Sequence, residues 1–255
     1  MDEERGAELS AAIAAAWGKH EPPRKGPKRA LSLAQIVAAG ITVAGRDGLA
    51  AVSMSKVAAE IPVSTMALYR YVASKDELLT LMVDAAYGAA PDIPTEADWR
   101  SGLTAWAWAE RAAMQRHRWI LRVPISGPPL TPNQVGWFER GVACLSETGL
   151  TAVERLSSLL LVTGFVRNEA TLMDDIDSAA IARGVDPESV MTTYRQNLMS
   201  LIDSERFPAL SAAIEAGIFN EPDGPDDEFI FGLERVLDGI GVLIAERRKA
   251  AGLLR

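Results

Sequence analysis

This 255-residue chain offers little for covalent or metal chemistry, with one cysteine, Cys144, and two histidines, His20 and His117. A lone thiol cannot build a disulfide framework, and so few scattered ligands do not make a Cys/His zinc site. No stretch approaches the ~18 consecutive apolar residues of a membrane span. The chain opens on Asp2, Glu3 and Glu4, where a secretory leader would carry basic residues. A phosphate-binding glycine loop, a dinucleotide fingerprint and a Gly-x-Ser-x-Gly elbow are missing too. The expectation is a cytoplasmic protein that uses no metal or cofactor, touches no membrane and is not an enzyme. With 48% apolar and 24% charged residues it has ample material for a buried core, in one or two domains.

Residues that imitate catalytic chemistry have simpler accounts. Ser53-Met54-Ser55-Lys56 has the Ser-x-x-Lys spacing, but its Ser-Asp-Asn and Lys-Thr-Gly companions are missing and helix capping explains Ser53. His117, among Arg116, Arg118 and Trp119, is expected to pack at a helix end, and Cys144 to be a buried apolar thiol. Residues 174–187 and 220–228 are expected to be loop-like, with Asp174, Asp175 and Asp177 merely solvated. The acidic run in the second of these contains two prolines and lacks the spacing of a calcium loop.

What is present is an asymmetry of charge. Residues 19–75 hold nine Lys/Arg against three Asp/Glu, a net +6, in a chain whose total is -8. A basic module on an acidic body suits a polyanion, because phosphate contacts by Lys and Arg release counterions. Residues 7–18 form an expected alanine-rich helix ending near Gly18. Residues 19–30, with three prolines and five Lys/Arg, form either a flexible basic arm that reaches a phosphate backbone or minor groove, or a plain linker.

From Leu31 the periodicity is helical. Leu33, Ile36, Val37, Ile41 and Ala44 recur at spacings of three and four until Gly45 and Gly48 stop the run. Val52, Met54, Val57, Ala58 and Ile61 mark a second helix with Ser53 as N-cap, broken at Pro62. Ser64 is expected to cap a third, over 65–72. Ser74-Lys75-Asp76-Glu77 has the form of a capping box opening a fourth, with Leu78, Leu79, Met82, Val83 and Ala86 on its apolar side. Leu33, Ile36, Val37, Val57, Ala58, Ile61, Val63 and Leu68 can close a small core, leaving Thr65, Met66, Tyr69, Arg70 and Tyr71 outward. Two short helices across a tight turn, the second polar and aromatic outside, is the helix-turn-helix arrangement.

The stretch Val57-Ala58-Ala59-Glu60-Ile61-Pro62-Val63-Ser64-Thr65-Met66-Ala67-Leu68-Tyr69-Arg70-Tyr71-Val72, followed by Ser74-Lys75-Asp76-Glu77-Leu78-Leu79, resembles the DNA-binding domain of the TetR family of transcriptional regulators. The resemblance implies that Thr65, Met66, Ala67 and Arg70 approach base edges while Ser53, Tyr69, Tyr71 and Lys75 contact phosphates of a double-stranded operator. One departure concerns the turn. The family usually has glycine where this chain has Pro62, whose φ is fixed near -65°, so the turn must be built differently.

Residues 91–255 read as a larger helical domain. Trp99, Leu103, Trp106, Ala107, Glu110 and Met114 form one stripe over 98–116, and five of the six tryptophans fall between 99 and 137. Such a cluster either lines an apolar ligand pocket or is ordinary core. Further helices are expected over 133–148, 151–173 and 227–248, with a proline-rich loop at 124–132. Arg167, Asn168 and Glu169 end the most apolar of these helices and are candidates for orienting a ligand. The candidate pocket residues are Trp106, Met114, Trp119, Trp137, Phe165, Asn168 and Glu169. In TetR-like proteins the two helices corresponding to 151–173 and 227–248 pair across a two-fold axis. The resemblance thus implies a homodimeric repressor, released from a near-palindromic operator when a small-molecule effector changes the spacing of its reading heads. The expectation is an all-α chain with an N-terminal extension (1–30), a three-helix helix-turn-helix DNA-binding domain (31–90) and a larger ligand-binding and dimerisation domain (91–255). The competing reading is an all-helical small-molecule-binding protein or enzyme whose N-terminal bundle is only structural.

Overall fold

A computed structural model describes residues 9–19, 31–94, 98–218 and 224–252, and among these all regular structure is helical. The candidate basic arm therefore lies outside the described residues from position 20 to 30. The helix α1, Ala11–Ala16, is shorter than expected. It packs Ala12 into the first core, while the Trp17 indole N–H donates to the Leu130 carbonyl at 2.8 Å.

Four helices then follow as the periodicity requires. In α2, Leu33–Asp47, Ser32 and Gln35 form a reciprocal capping box, and Gly48 ends the helix at φ +82°, a conformation that disfavours a Cβ. The Ser53 hydroxyl accepts the Lys56 N–H to start α3, Met54–Glu60. Arg46 at the end of α2 reaches Glu60 at the end of α3, and Lys56 pairs with Asp47, so two of the module's cations fasten these helices together.

The turn after α3 needs no left-handed residue: Ile61 has φ -117° and ψ 33°, and the Val63 N–H bonds back to the Ala58 carbonyl at 3.1 Å. Proline fits because this geometry asks nothing of its missing N–H. The helix α4, Thr65–Leu68, is one turn long rather than running to 72, and the Ser64 side chain does not cap it. Tyr69 to Tyr71 continue as a turn, closed by hydrogen bonds from the Tyr71 and Val72 N–H groups to the Leu68 carbonyl. The helix α5, Lys75–Tyr87, begins with the Ser74 hydroxyl accepting from the Glu77 N–H. The Glu77 carboxylate reaches back to the Ala73 N–H, one residue earlier than a reciprocal box would have it.

Ile36, Val43, Val57, Leu68, Leu78 and Met82 close this first core with almost no exposure, each contributing about 1.5–3 kcal/mol. Trp119 and Ile120 join it from the larger domain.

That domain starts with α6, Trp99–Arg116, capped by Asp98, and continues through a 3-10 turn, Arg118–Arg122, into α7, Pro132–Ala143. The helix α7 stops five residues before the expected 148, and a second 3-10 turn, Ser146–Thr148, carries the chain to Gly149. The long α8, Ala152–Ala182, runs nine residues past the expected end at 173. Asp174, Asp175 and Asp177 are thus helical, and they are not merely solvated: Arg122 pairs with the first two and Arg118 with the first and third. Nothing in 174–182 breaks a helix, and the facing arginines satisfy its carboxylates. Two helices whose bounds the sequence did not mark, α9 (Pro187–Leu201) and α10 (Pro208–Glu215), precede α11, Asp227–Ala250. A second core fills the space between α6, α8 and α11, around Leu103, Leu159, Val162, Phe229 and Leu237.

The two cores are joined at α7. Thr131, its N-cap, makes no side-chain cap bond. Asp84 of α5 supplies one instead: its carboxylate accepts from the Gln134 N–H at 2.9 Å and from the Asn133 amide at 3.0 Å. Replacing Asp84 with alanine removes the cap on the Gln134 N–H, while the Asn133 amide keeps its bond to the Asp84 carbonyl at 3.1 Å, an expected loss of about 2 kcal/mol. A thermal melt should fall by several degrees, and Asp84→Asn should recover part of the loss; an unchanged melt for Asp84→Ala would refute the capping role.

Candidate DNA-reading and effector sites

Around α4 the apolar side is anchored and the rest is presented. Leu68 is fully buried, while Met66 is 73% exposed and Tyr69 46% exposed. Arg70 and Lys75 are exposed, and no described residue forms an ion pair with either. Lys75 is the first residue of α5, at a helix N-terminus favourable to a phosphate. Ser53 and Thr65 are half-buried beside them. Two expected contacts have less freedom than the sequence suggested. Ala67 is 8% exposed and faces the core, so only its edge is available. Tyr71 does not face outward: it packs on the first core and donates its hydroxyl to the Leu31 carbonyl at 2.7 Å. A turn at residue 69, where helical periodicity had been extended, swings Tyr71 inward.

The chain belongs to the TetR family of bacterial regulatory proteins. The family's N-terminal model, described as bacterial regulatory proteins of the tetR family, matches residues 36–82, and the tetracyclin repressor-like C-terminal domain model matches 90–244. Among relatives, the HTH-type transcriptional repressor DrrR1 of Streptomyces coeruleorubidus is 34% identical over 235 residues, covering 91% of this chain and 85% of that protein. Apo ActR of Streptomyces coelicolor is similar in fold, with a TM-score of 0.69 and 26% identity over 85% of this chain and 98% of ActR. ActR in complex with actinorhodin gives 0.69 and 25% identity over 84% of this chain and 96% of ActR. The helix-turn-helix of this TetR-family regulator is therefore its DNA-binding element, and the C-terminal domain is of the family's ligand-binding type. No described helix is long and apolar enough to cross a membrane.

Within the regulator's C-terminal domain the candidate pocket residues do not share one open cavity. Trp106, Met114 and Trp137 are buried in the second core, with the Trp106 N–H donating to the Trp137 carbonyl and the Trp137 N–H to the Gly88 carbonyl at the end of α5. Trp119 belongs to the first core, and its N–H has no partner among the described residues. Phe165 is half-buried, stacked on Phe229 at 5.7 Å and pressed against Gly232. Asn168 faces outward and is exposed, which removes it from the pocket. Glu169 is committed elsewhere: Arg111 donates to both its oxygens at 3.0 and 3.1 Å and to Asp226 at 2.6 Å, and its guanidinium lies over Phe229. Helix phase explains both corrections. Residues 166 and 170 hold the core side of α8, which sends 168 to the opposite face and 169 to the flank beside α6.

Two clefts open on the surface instead. One of about 450 Å³ lies by Trp99, Gly102, Arg140, Cys144 and Arg248, and one of about 410 Å³ lies between α6 and α11 by Thr104, Trp108 and Leu233. Cys144 is half-buried, donates to the Arg140 carbonyl, and has its thiol pushed up by burial, so it is not an activated nucleophile. His117 caps the C-terminal end of α6 near Trp119, its pKa lowered by burial and then by Arg116. Glu110 is strongly perturbed. Burial raises its carboxyl to about 8, against a smaller opposing pull from Arg167. The stripe of α6 contained this residue, but a carboxyl on an apolar stripe signals a site only once its lack of a partner is seen.

Proposed function

We propose that the protein is a homodimeric transcriptional repressor that holds a near-palindromic operator and leaves it when a small molecule occupies the C-terminal domain. The observation that carries the reading is the segment from Thr65 to Arg70: its aliphatic side is locked by Leu68, while Met66, Tyr69 and Arg70 project beside Lys75, which pairs with no described residue. Exposed guanidinium, phenol and hydroxyl groups bond phosphates and base edges, and methyl-bearing groups meet thymine.

A second copy is supported by α8 and α11. The helix α8 is apolar on both sides, with Leu159, Val162 and Val166 in the core but Val153, Leu156, Leu160 and Leu161 exposed. A helix apolar all round belongs in an interior, so its open face calls for a partner. Phe231 and Val242 on α11 are exposed as well. A two-fold dimer would set its reading segments about 34 Å apart, one DNA turn. Repression is supported by the name of the relative DrrR1, and effector binding by ActR in complex with actinorhodin. An effector that prefers the dimer spacing incompatible with DNA lowers operator affinity by its preference for that state, about 1–3 kcal/mol of coupling. Trp137 bonded to Gly88, and Asp84 capping α7, give that preference a path from the C-terminal core to α5.

Selection of duplexes from a random pool, followed by titration with salt, tests the reading. Binding should be steep in salt and confined to sites with two-fold symmetry. Arg70→Ala should weaken the selected site by about 1–3 kcal/mol per half-site. No enrichment, or a salt-independent affinity, would sink it in favour of a structural N-terminal bundle.

A further inference from the structure

Inside the C-terminal domain one buried carboxyl has an oxygen with no hydrogen-bond partner among the described residues. The helix α6 turns Trp106, Glu110 and Met114 to one side at four-residue spacing, and all three are buried. Glu110 is 5% exposed, and its Oε2 accepts no hydrogen bond from a described residue. Arg167 of α8 is the cation whose charge reaches it, but that guanidinium donates to the Ile120, Leu121 and Val123 carbonyls at 3.2–3.5 Å. Tyr87, at the end of α5, lies close enough to feel the Glu110 charge. Aromatic rings continue from there: Tyr87 meets Trp137 edge-on at 5.5 Å, and Trp137 meets Trp106 at 6.2 Å.

A buried acceptor without a donor destabilises the free protein, and an apolar residue at position 110 would avoid the cost. A ligand that brings a donor recovers it. A protonated amine does so with charge as well, and aromatic rings are favourable neighbours for a cation. The domain's composition points the same way, because residues 76–255 carry 27 Asp/Glu against 16 Lys/Arg and draw cations toward them.

We propose that Glu110 anchors the effector, and that the effector is an alkylamine that carries aromatic rings, protonated at neutral pH, whose ammonium meets the Glu110 carboxyl while its rings displace or lie against Trp106, Trp137 and Tyr87. This rests on the effector-responsive reading above and names the chemical class that the site takes. Burial keeps much of the Glu110 carboxyl protonated in the free protein, so the arriving cation ionises it and a proton leaves to solvent. Entry requires the aromatic layer to part, and Met114, unbranched and one helical turn from Glu110, is the adaptable side chain beside it. The layer includes Trp137, bonded to Gly88 at the end of α5, so a ligand here disturbs the joint with the DNA-reading domain.

The test uses the full-length protein without DNA and two dyes, the arene-bearing alkylammonium dansylcadaverine and the apolar anion 1-anilinonaphthalene-8-sulfonate, followed by anisotropy and fluorescence. Wild type should bind the cation more tightly, and Glu110→Gln should weaken that binding by about tenfold or more while leaving the anion unaffected. The glutamine variant should melt no lower than wild type, since it removes a buried carboxyl. Equal affinity of both proteins for the cation, no binding of the cation, or a preference for the anion overturns the assignment. Operator binding is measured separately on the same samples. If anions release the operator, the regulator reading stands and the amine assignment falls; if no duplex binds at all, the regulator reading falls whatever the dyes do.

Discussion

Replacing Leu160 with glutamate is expected to leave each chain folded, to abolish dimers at micromolar concentration and to lower operator affinity by about 100-fold or more. Leu160 is 70% exposed in the single chain and sits amid Leu156 and Leu161 on the open side of α8, away from the core residues Leu159 and Val162. A charge there costs the monomer nothing. In a two-fold assembly it would appear twice near the axis and would have to be buried without a partner. Once the dimer is lost, each half-site is held alone, and the gain from linking two reading heads disappears. Sedimentation equilibrium reads the mass, circular dichroism the fold and a mobility shift the operator. A variant that remains a dimer would show that the subunits meet through another face.

Arg111→Ala is expected to destabilise the C-terminal domain by about 3–5 kcal/mol, because it strands the Glu169 carboxylate in a site where that side chain is only 11% exposed. The guanidinium also loses its seat over Phe229 at 4.5 Å, so packing and charge are removed together. For a chain of this size the melt should fall by roughly 6–20 °C. The double replacement Arg111→Met with Glu169→Leu removes both buried charges and should regain most of that loss. If the single variant melted like wild type, the pair would have to be treated as a surface contact.

Much of the reading module was legible because its signals are local. Ser53 and Ser74 act as caps within three residues of themselves, Gly48 stops α2, and the periodicity of Ile36, Val37, Val57, Ala58 and Leu68 forecasts which side chains meet. The inward course of Tyr71 is not legible locally, because its destination, the Leu31 carbonyl, is 40 residues away. The ion pair of Glu169 is hidden for the same reason: its partner Arg111 lies 58 residues earlier, and no spacing rule links them. Asp174 belongs to this group as well, since a carboxylate beside two others looks solvated until Arg118 and Arg122 are found opposite.

The sequence by itself determined that the protein is helical, that a basic helix-turn-helix precedes an acidic domain and that Met66, Tyr69, Arg70 and Lys75 are displayed. These follow from residue order over a few turns of chain, where propensity, capping and periodicity act. Only the tertiary structure decided that Pro62 turns the chain without a left-handed residue, that Asp84 of one domain caps a helix of the other and that Glu110 is enclosed without a donor. Each of these depends on which groups distant in the chain come within hydrogen-bond reach or fail to, and that is fixed by the packing of whole helices.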